Sequence, residues 1–293
     1  MIIVQLNGGM GNQMFQYATA KAIALRGKQT LKLDISFFGT VKVDTPREYE
    51  LHKLSVQDDF ATSDEINAIK GFKPTKLRKL RDKLLPLHAK RHIIEHNMNF
   101  IPALLQLGGD LYLEGNWQTE KYFVDFEPEI KKVFTVKNAP NAESSKLLEL
   151  VNKNQNPVSI HVRRGDYISN ANAKSFHGIC SPEYYNNCIG LIKSKVPNPV
   201  FFIFSDEPDW AKENIKTDAE TYVSYNSITD QADDLRLMYS CKHHIIANSS
   251  FSWWGAWLSN NPQKIVCCPE QWFANKEING SNIVPSKWIK VKG

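Results

Sequence analysis

The segment "SIHVRRGDY", residues 159–167, places ionisable side chains directly after an apolar run. His161, Arg163, Arg164 and Asp166 bring an imidazole, two guanidinium groups and a carboxylate into six consecutive residues. Guanidinium is always charged and forks onto phosphate oxygens, so this segment predicts a clamp for a phosphate group. Two other interpretations remain open here: a solvated basic loop, and the Arg-Gly-Asp adhesion signal of some extracellular proteins.

Two further polar clusters also follow apolar runs of strand length. Asp206 comes after "PVFFIFS" and is an acceptor suited to a guanine edge or a ribose hydroxyl. Ser249 and Ser250 follow "HHIIAN" and precede a helical segment, where they are either ordinary caps or part of an anion site at the positive helix end. Ligands of parallel sheets bind outside the carboxyl ends of the strands, so we expect all three clusters to converge.

The N-terminal turn "NGGMGNQ" separates the strand-like "IIVQL" from a helical segment that ends at Gly27. It resembles the dinucleotide-binding fingerprint, and Asp34 falls where a ribose partner would lie. However, Met14 occupies the third glycine position and is too bulky for close helix–strand packing. An NAD-dependent oxidoreductase is therefore an alternative only, and the turn keeps backbone N–H groups and a helix N-terminus for an anion or a hydroxyl-rich ligand.

Alternating strands and helices predict an α/β fold with parallel sheets. The chain opens as strand, turn, helix and strand, and the C-terminal half repeats this alternation. The middle, from about residue 40 to 137, is predicted to be irregular. A stretch rich in Asn, Lys and Pro at residues 138–156 indicates a boundary, which gives an N-terminal domain of residues 1–145 and a C-terminal domain of residues 146–293.

Composition favours a globular protein of a reducing compartment. Hydrophobic residues make up 42% and charged residues 23% of the 293 residues. No apolar run approaches the roughly 18 residues of a membrane span, and we expect the opening "MIIVQLNGG" to form a strand and not a leader. The five cysteines show no CxxC spacing. We therefore expect a cytoplasmic location, which disfavours the adhesion interpretation.

The positive charge is concentrated in residues 70–92, which contain nine Lys or Arg and one Asp. This stretch carries +8 against +5 for the whole chain, so the remainder carries −3. Its leucines recur at helical spacing and predict a basic amphipathic helix. The helix either has a solvated outer face or contacts an anionic membrane surface or a phosphate-bearing acceptor. Nucleic acid is not an expected partner, because aromatic residues are not interleaved with the charges.

Six motifs resemble, in their order along the chain, the family 11 glycosyltransferases, which are the α-1,2-fucosyltransferases. They are "GGMGNQMFQYA", "REYEL", "WQTEKYF", "HVRRGDY", "FIFSDE" and "NSSFSWWGAWL", and the resemblance extends from residue 2 to about residue 273. It implies a GT-B fold, with two Rossmann-like domains facing across a cleft, the acceptor on the N-terminal side and the donor GDP-β-L-fucose on the C-terminal side. The implied reaction is inverting transfer to the 2-hydroxyl of a terminal β-galactoside, in surface glycan or O-antigen assembly.

The resemblance also implies roles for individual residues. Arg163 maps to the arginine that binds the donor β-phosphate, and the other donor-binding positions are His161, Asp206, Ser249, Ser250, Gly11 and Asn12. Asp166 is either a general base or an orienter of an arginine. A related α-1,6 branch has a glutamate where Ala171 stands here, so the base stays unassigned. Because Arg163 and a helix N-terminus could stabilise the departing GDP, no metal or other cofactor is expected.

Strand phase distinguishes the two arginines. Side chains alternate across a strand, so His161 and Arg163 should lie on one side and Arg164 on the other. We therefore expect Arg163 to contact the donor. Arg164 is expected to brace the loop through Asp166 or a neighbouring carboxylate.

Overall fold

The computed structural model describes residues 1–40, 47–71, 85–96, 98–165, 178–224, 226, 231–275, 278 and 280–293. Most of the predicted basic helix, together with Asp166 and Ala171, lies outside the described residues. By internal contacts the chain divides into two units: Met1–Phe134 with Ser281–Ile283, and Thr135–Gly280 with Val284–Gly293.

The first unit contains a parallel four-stranded sheet in the order β2-β1-β4-β3. Its strands are β1 (Ile2–Gln5), β2 (Leu31–Asp34), β3 (His92–Ile94) and β4 (Leu111–Glu114). Its described α-helices are α1 (Met10–Gly27), α2 (Phe37–Thr40), α3 (Ser63–Lys70) and α4 (Glu127–Val133). The prediction of an irregular middle is therefore wrong for β3 and β4, which are three and four residues long and lack a clear alternation pattern.

The helix α1 is buried on almost every side, from Met10 to Ala24. This explains why Met14, at the third glycine position of the turn, is fully buried. The helix ends where Lys28 adopts a left-handed conformation and donates its backbone N–H to the last turn. It follows β1 directly, so its N-terminus lies at the carboxyl edge of the first sheet.

The second unit contains a parallel six-stranded sheet in the order β10-β9-β8-β5-β6-β7. Its strands are β5 (Pro157–Val162), β6 (Val200–Ser205), β7 (Thr221–Val223), β8 (His243–Ile245), β9 (Val266–Pro269) and β10 (Ile289–Val291). Its described α-helices are α5 (Ala142–Lys153), α6 (Pro182–Lys195), α7 (Pro208–Asn214), α8 (Gln231–Ser240) and α9 (Ser250–Trp257). Every residue of β5 and β6 is buried, as expected for strands covered on both faces.

The stretch that the sequence marks as a boundary contains the twelve-residue helix α5. Asn141 caps this helix, because its side chain accepts a hydrogen bond from the Ser144 backbone N–H at 2.8 Å. Asn141, which lies in the stretch that was predicted to be a linker, is therefore the N-cap of a helix. The predicted domain limit at residues 145 and 146 falls inside α5, and the division by contacts lies at Phe134 and Thr135.

Parallel sheets with helical connections in both units confirm the predicted α/β class. In the part of the chain that the structure describes, no helix is both long and apolar enough to cross a membrane.

Candidate active site

The carboxyl ends of three neighbouring strands of the second sheet carry the polar clusters found in the sequence. β5 lies between β6 and β8, with Val162 opposite Ser205 and Ile160 opposite Ile245. The residues after these strands therefore leave the sheet at the same edge. This confirms the predicted convergence of "HVRRGD", "FSDE" and "NSS" for their described residues.

Asp206 holds the turn that follows β5. Its Oδ2 lies 2.9 Å from Nη1 of Arg163, and its two carboxylate oxygens accept the backbone N–H groups of Arg164 and Gly165, each at 3.0 Å. A Cβ atom added to Gly165 would lie only 3.0 Å from Asp206 Oδ2, so glycine allows this close approach. Asp206 was predicted as a ligand of the nucleoside, and the structure adds a contact that fixes Arg163.

Arg164 points to different partners from those of Arg163. Its Nε donates to Glu207 Oε2 at 3.1 Å. Its guanidinium carbon lies 3.5 Å from the centre of the Trp210 ring, within cation–π distance. A neighbouring carboxylate and an aromatic ring thus brace Arg164, and Arg163 is the arginine that lies with Asp206.

His161 is a buried, neutral imidazole at the end of β5. Burial, and secondly the positive charge of Arg163, lower the pKa of His161 to about 3. Its Nδ1 has no hydrogen-bond partner among the described residues. Its ring centre lies 5.6 Å from that of Phe251, which belongs to the first turn of α9. A neutral imidazole here can accept or donate a hydrogen bond without adding charge to the site.

The N-terminus of α9 lies at the same edge of the sheet. Ser249 occupies the N-cap position, yet its side chain makes no capping hydrogen bond. The nearby Ser252 hydroxyl instead accepts the Ala247 backbone N–H at 3.0 Å. Ordinary side-chain capping therefore does not explain Ser249. Trp253, Trp254 and Trp257 of α9 are buried and pack in the core.

In the first unit, the glycine-rich turn is closed by the "REYEL" motif. Gly8 has a φ of +70°, a conformation that glycine adopts without strain. The first N–H of α1, from Met10, donates to Glu50 Oε2 at 2.8 Å. A carboxylate is stabilised at a helix N-terminus, so Glu50 takes the place predicted for a ligand anion. That prediction is wrong for the Met10 N–H.

Side-chain amides connect this turn to the other motifs of the first unit. The buried Gln13 donates to the carbonyls of Gly8 and Glu48 at 2.9 and 2.8 Å. Asn12 Oδ1 accepts a hydrogen bond from Gln118 Nε2 at 2.9 Å. Sequence reasoning missed these roles, although both glutamines lie inside the quoted motifs.

Asp34 is not available to a ribose. It is buried, and its Oδ2 accepts the hydroxyl hydrogen of Tyr112 at 2.6 Å while Oδ1 accepts the Ser36 N–H at 2.9 Å. With Asp34 satisfied inside the protein and Met14 at the third glycine position, the turn does not support a dinucleotide-binding site. Within the described ranges, no group of three or more His, Cys, Asp or Glu side chains could hold a metal ion.

Comparison with known proteins identifies relatives along the whole chain. The family model "Glycosyl transferase family 11" matches residues 102–292. An alpha-1,2-colitosyltransferase of Escherichia coli is 35% identical over 100% of this chain and 99% of its own length. The O-antigen biosynthesis glycosyltransferase WbnK of Escherichia coli is 33% identical over 98% and 99%. The mouse galactoside 2-alpha-L-fucosyltransferase Sec1 is 24% identical over 88% of this chain and 64% of its own length.

A solved structure shares the fold. A mutant of Arabidopsis thaliana FUT1, determined in complex with GDP, superposes with a TM-score of 0.51 at 10% identity, covering 97% of this chain and 74% of that one. This likeness concerns the fold alone, and it agrees with the predicted GT-B class.

Proposed function

Because the chain belongs to glycosyl transferase family 11, we propose that it transfers L-fucose from GDP-β-L-fucose to the 2-hydroxyl of a terminal β-galactoside. The reaction inverts the anomeric carbon and gives an α-1,2 linkage, in surface glycan or O-antigen assembly. The names of the mouse and WbnK relatives support the linkage and the biological setting. The observation that carries the proposal is the group formed by Arg163, His161 and the α9 N-terminus at one sheet edge.

The chemistry requires stabilisation of a departing GDP. When the bond from fucose C1 to the β-phosphate oxygen breaks, its electron pair stays on GDP, and the sugar gains oxocarbenium character. Electrostatic stabilisation of such developing charge is usually the largest single catalytic contribution. Arg163 supplies a fixed positive charge that Asp206 orients at 2.9 Å. The first-turn N–H groups of α9, near Ser249 and Ser250, add the positive end of a helix dipole.

The remaining proposed contacts position the donor. His161 is neutral near pH 7, so it can hydrogen-bond the donor without opposing Arg163. Asp206 keeps acceptor capacity beyond its three observed contacts, because a carboxylate has about four lone-pair positions. In the first unit, Gly11 and Asn12 lie in the first turn of α1, where Glu50 accepts the Met10 N–H and Gln118 donates to Asn12. We assign that turn to the sugar end of the donor.

A colitosyl donor is the second candidate, because the Escherichia coli colitosyltransferase is 35% identical along the full chain. Colitose is the 3-deoxy form of fucose, so the two donors differ by one hydroxyl group. A site that hydrogen-bonds this hydroxyl rejects the deoxy sugar by about 10⁴-fold or more, whereas an apolar site discriminates weakly. Parallel kcat/KM values for GDP-fucose and GDP-colitose therefore separate the two candidates.

The proposal is tested by measuring GDP release with GDP-fucose and a panel of β-galactosides. We expect acceptor-dependent release, and NMR of the product should show an α-linkage at the galactose 2-position. Controls lack the acceptor or use galactosides blocked at that position. Release that is equally fast with the blocked acceptors contradicts the assigned linkage. Stabilisation by NAD but not by GDP would instead favour the oxidoreductase alternative.

We also propose that turnover needs no metal, because Arg163 and the α9 N-terminus supply positive charge to the leaving group. Activity should persist in excess EDTA. Complete loss that Mg²⁺ or Mn²⁺ restores would contradict this role of Arg163.

The basic stretch of residues 70–92 remains a proposed contact with anionic lipid or a lipid-linked acceptor. Reversing the charges of Lys76, Arg78, Lys79, Arg81 and Lys83 should abolish sedimentation with anionic vesicles. Turnover on a soluble galactoside should be unchanged. Equal vesicle binding by the wild type and the reversed variant would favour the alternative that these charges are simply solvated.

A further inference from the structure

Glu95 is the residue directly after β3, at the carboxyl edge of the first sheet. Its Oε2 accepts the backbone N–H groups of Asn116 and Trp117 at 2.7 and 2.8 Å. Both donors belong to the loop that follows the adjacent strand β4. One carboxylate oxygen is thus fixed by two hydrogen bonds, and its orientation is set by the backbone.

The loop after β4 is shaped to receive this carboxylate. A Cβ atom on Gly115 would lie 2.4 Å from Glu95 Cβ, so only glycine fits there. Trp117 has a φ of +54°, an uncommon conformation for a bulky side chain. Successive N–H groups in such a turn form a concave anion site, and the Glu95 carboxylate fills it. Strained backbone of this kind persists where the surrounding structure holds it, often at functional sites.

The second oxygen, Oε1, distinguishes Glu95 from the nearby carboxylate of Glu114. Glu114 lies 2.9 Å from His92 Nε2 and 3.2 Å from Lys70 Nζ, and chiefly the hydrogen bond from His92 lowers the pKa of Glu114 to about 2. In the described part of the chain, Glu95 has no ion pair, and both hydrogen bonds to its carboxylate go to Oε2. Burial raises the pKa of Glu95 in spite of the two N–H donors.

Glu95 is also connected to the turn assigned to the sugar. Gln118 follows Trp117 in the same loop and donates to Asn12 Oδ1 at 2.9 Å. The loop held by Glu95 therefore contacts the start of α1, within the same unit. Ligands of parallel sheets bind outside this edge, so an acceptor on the first unit would lie beside Glu95.

We propose that Glu95 is the general base that takes the proton from the attacking acceptor hydroxyl. This inference rests on the proposed transfer reaction. As the acceptor oxygen bonds to the anomeric carbon, its O–H proton passes to Glu95 Oε1, and the electron pair of the breaking C1–O bond leaves with GDP. Water then takes the proton from Glu95 after product release. The two N–H bonds at Oε2 keep the carboxylate in place throughout.

The decisive variant is Glu95→Gln, which keeps an oxygen for the two N–H donors but is not basic at any working pH. General-base catalysis contributes about 10²–10⁴-fold, so kcat should fall by that factor. The affinity for GDP, measured by calorimetry, and the melting temperature should stay close to those of the wild type. The matched control is Glu114→Gln on the neighbouring strand, and we expect it to retain turnover.

The pH dependence of kcat gives a second readout that a purely structural role would not produce. A base must be deprotonated, so wild-type kcat should rise with pH through a pKa above the ordinary value of glutamate, about 4.3. Glu95→Gln should lack this limb. Among the described residues, Tyr122 interacts electrostatically with Glu95, and burial, with a smaller contribution from Glu95, raises the pKa of Tyr122 and keeps it neutral.

Two results would overturn the assignment. One is a Glu95→Gln enzyme with wild-type kcat. The other is a loss of kcat confined to Asp166→Asn, which would move the base to "HVRRGDY". If Glu95→Gln has a lower melting temperature, the wild-type pH dependence of kcat decides alone. A wild-type kcat that does not fall at acidic pH would then overturn the assignment. The ratio of variant to wild-type kcat is measured with whichever GDP-sugar the wild type accepts. Failure of GDP-fucose as the donor would therefore count against the proposed function and not against the role of Glu95.

Discussion

Replacing each of the two adjacent arginines by lysine should produce different defects, mainly in kcat for Arg163→Lys and mainly in thermal stability for Arg164→Lys. Arg163→Lys keeps a positive charge within reach of Asp206, so the turn after β5 retains its ion pair. It loses the planar fork that can hold two phosphate oxygens. Arg164→Lys loses the Nε hydrogen bond to Glu207 at 3.1 Å and the flat stack over Trp210 at 3.5 Å.

The structure sets the expected magnitudes. For Arg163→Lys, losing one donor to a developing oxyanion lowers kcat by about 10²–10³-fold. The β-phosphate gains charge only as the bond breaks, so KM should change less than kcat. For Arg164→Lys, a charge-assisted hydrogen bond is worth about 1.5–3 kcal/mol and a cation–π contact at least about 0.5–1 kcal/mol. Lysine keeps the positive charge and so recovers part of this energy. Because the Arg164 side chain is only 18% exposed, solvent screens its contacts weakly, and we expect the free energy of unfolding to fall by about 1–2 kcal/mol.

The assay measures steady-state kinetics and thermal unfolding of both variants beside the wild type. Arg163→Lys should melt normally and turn over slowly. Arg164→Lys should melt lower by about 2–4 °C per kcal/mol lost, with a milder loss of kcat. If Arg163→Lys retains near-normal kcat while Arg164→Lys does not, the assignment of the two arginines is inverted.

Three further predictions concern stability and reactivity. Lys264 Nζ donates to the carbonyls of Ala256, Trp257 and Ser259 at 2.9, 3.0 and 3.0 Å, so Lys264→Met should lower the free energy of unfolding by about 2 kcal/mol in denaturant titration, and an unchanged value would contradict this. The pKa of His161 is lowered to about 3 in the folded protein, so the unfolded state binds a proton first as the pH falls below about 6.5. The free energy of unfolding should therefore fall by about 2 kcal/mol between neutral pH and pH 5. In denaturant titrations, His161→Asn should weaken this dependence on pH, and an unchanged dependence would contradict the assignment. Burial raises the thiol pKa of Cys180 to about 11, and all five cysteines are buried, so a thiol reagent should label all of them only in denaturant, whereas rapid labelling of the native protein would refute this.

The sequence was sufficient to predict the carboxyl edge of the second sheet. The strands β5 and β6 are mostly apolar and are followed by polar residues. These polar residues lie at the carboxyl edge of a parallel sheet whatever the order of its strands. The edge position of Arg163, Asp206 and Ser249 therefore follows from local pattern. Strand phase, which is also local, predicts that the two arginines have different surroundings, but the pairing of Arg163 with Asp206 was not predicted.

The carboxylate contacts could not be predicted in this way. Glu50 reaches Met10 across 40 residues, and Glu95 reaches Trp117 across 22. Such pairs depend on which strands become neighbours, and β3 and β4 are too short to be recognised before the sheet is known. A glutamate in a polar motif cannot be distinguished by sequence from a glutamate in a solvated loop. Its role depends on the partner that it contacts in the folded chain.

Three carboxylates hold turns at the carboxyl edges of the two sheets, and their cation partners separate their roles. Glu50, Asp206 and Glu95 each accept one or two backbone N–H groups of a turn. Glu50 also lies 3.4 Å from Lys53 Nζ, and Asp206 lies 2.9 Å from Arg163. Glu95 has no ion pair within the described residues, and burial raises its pKa, which makes its carboxylate more basic. Glu50 and Asp206 thus each join a turn to a cation, and Glu95 is the one of the three that we propose as the proton acceptor.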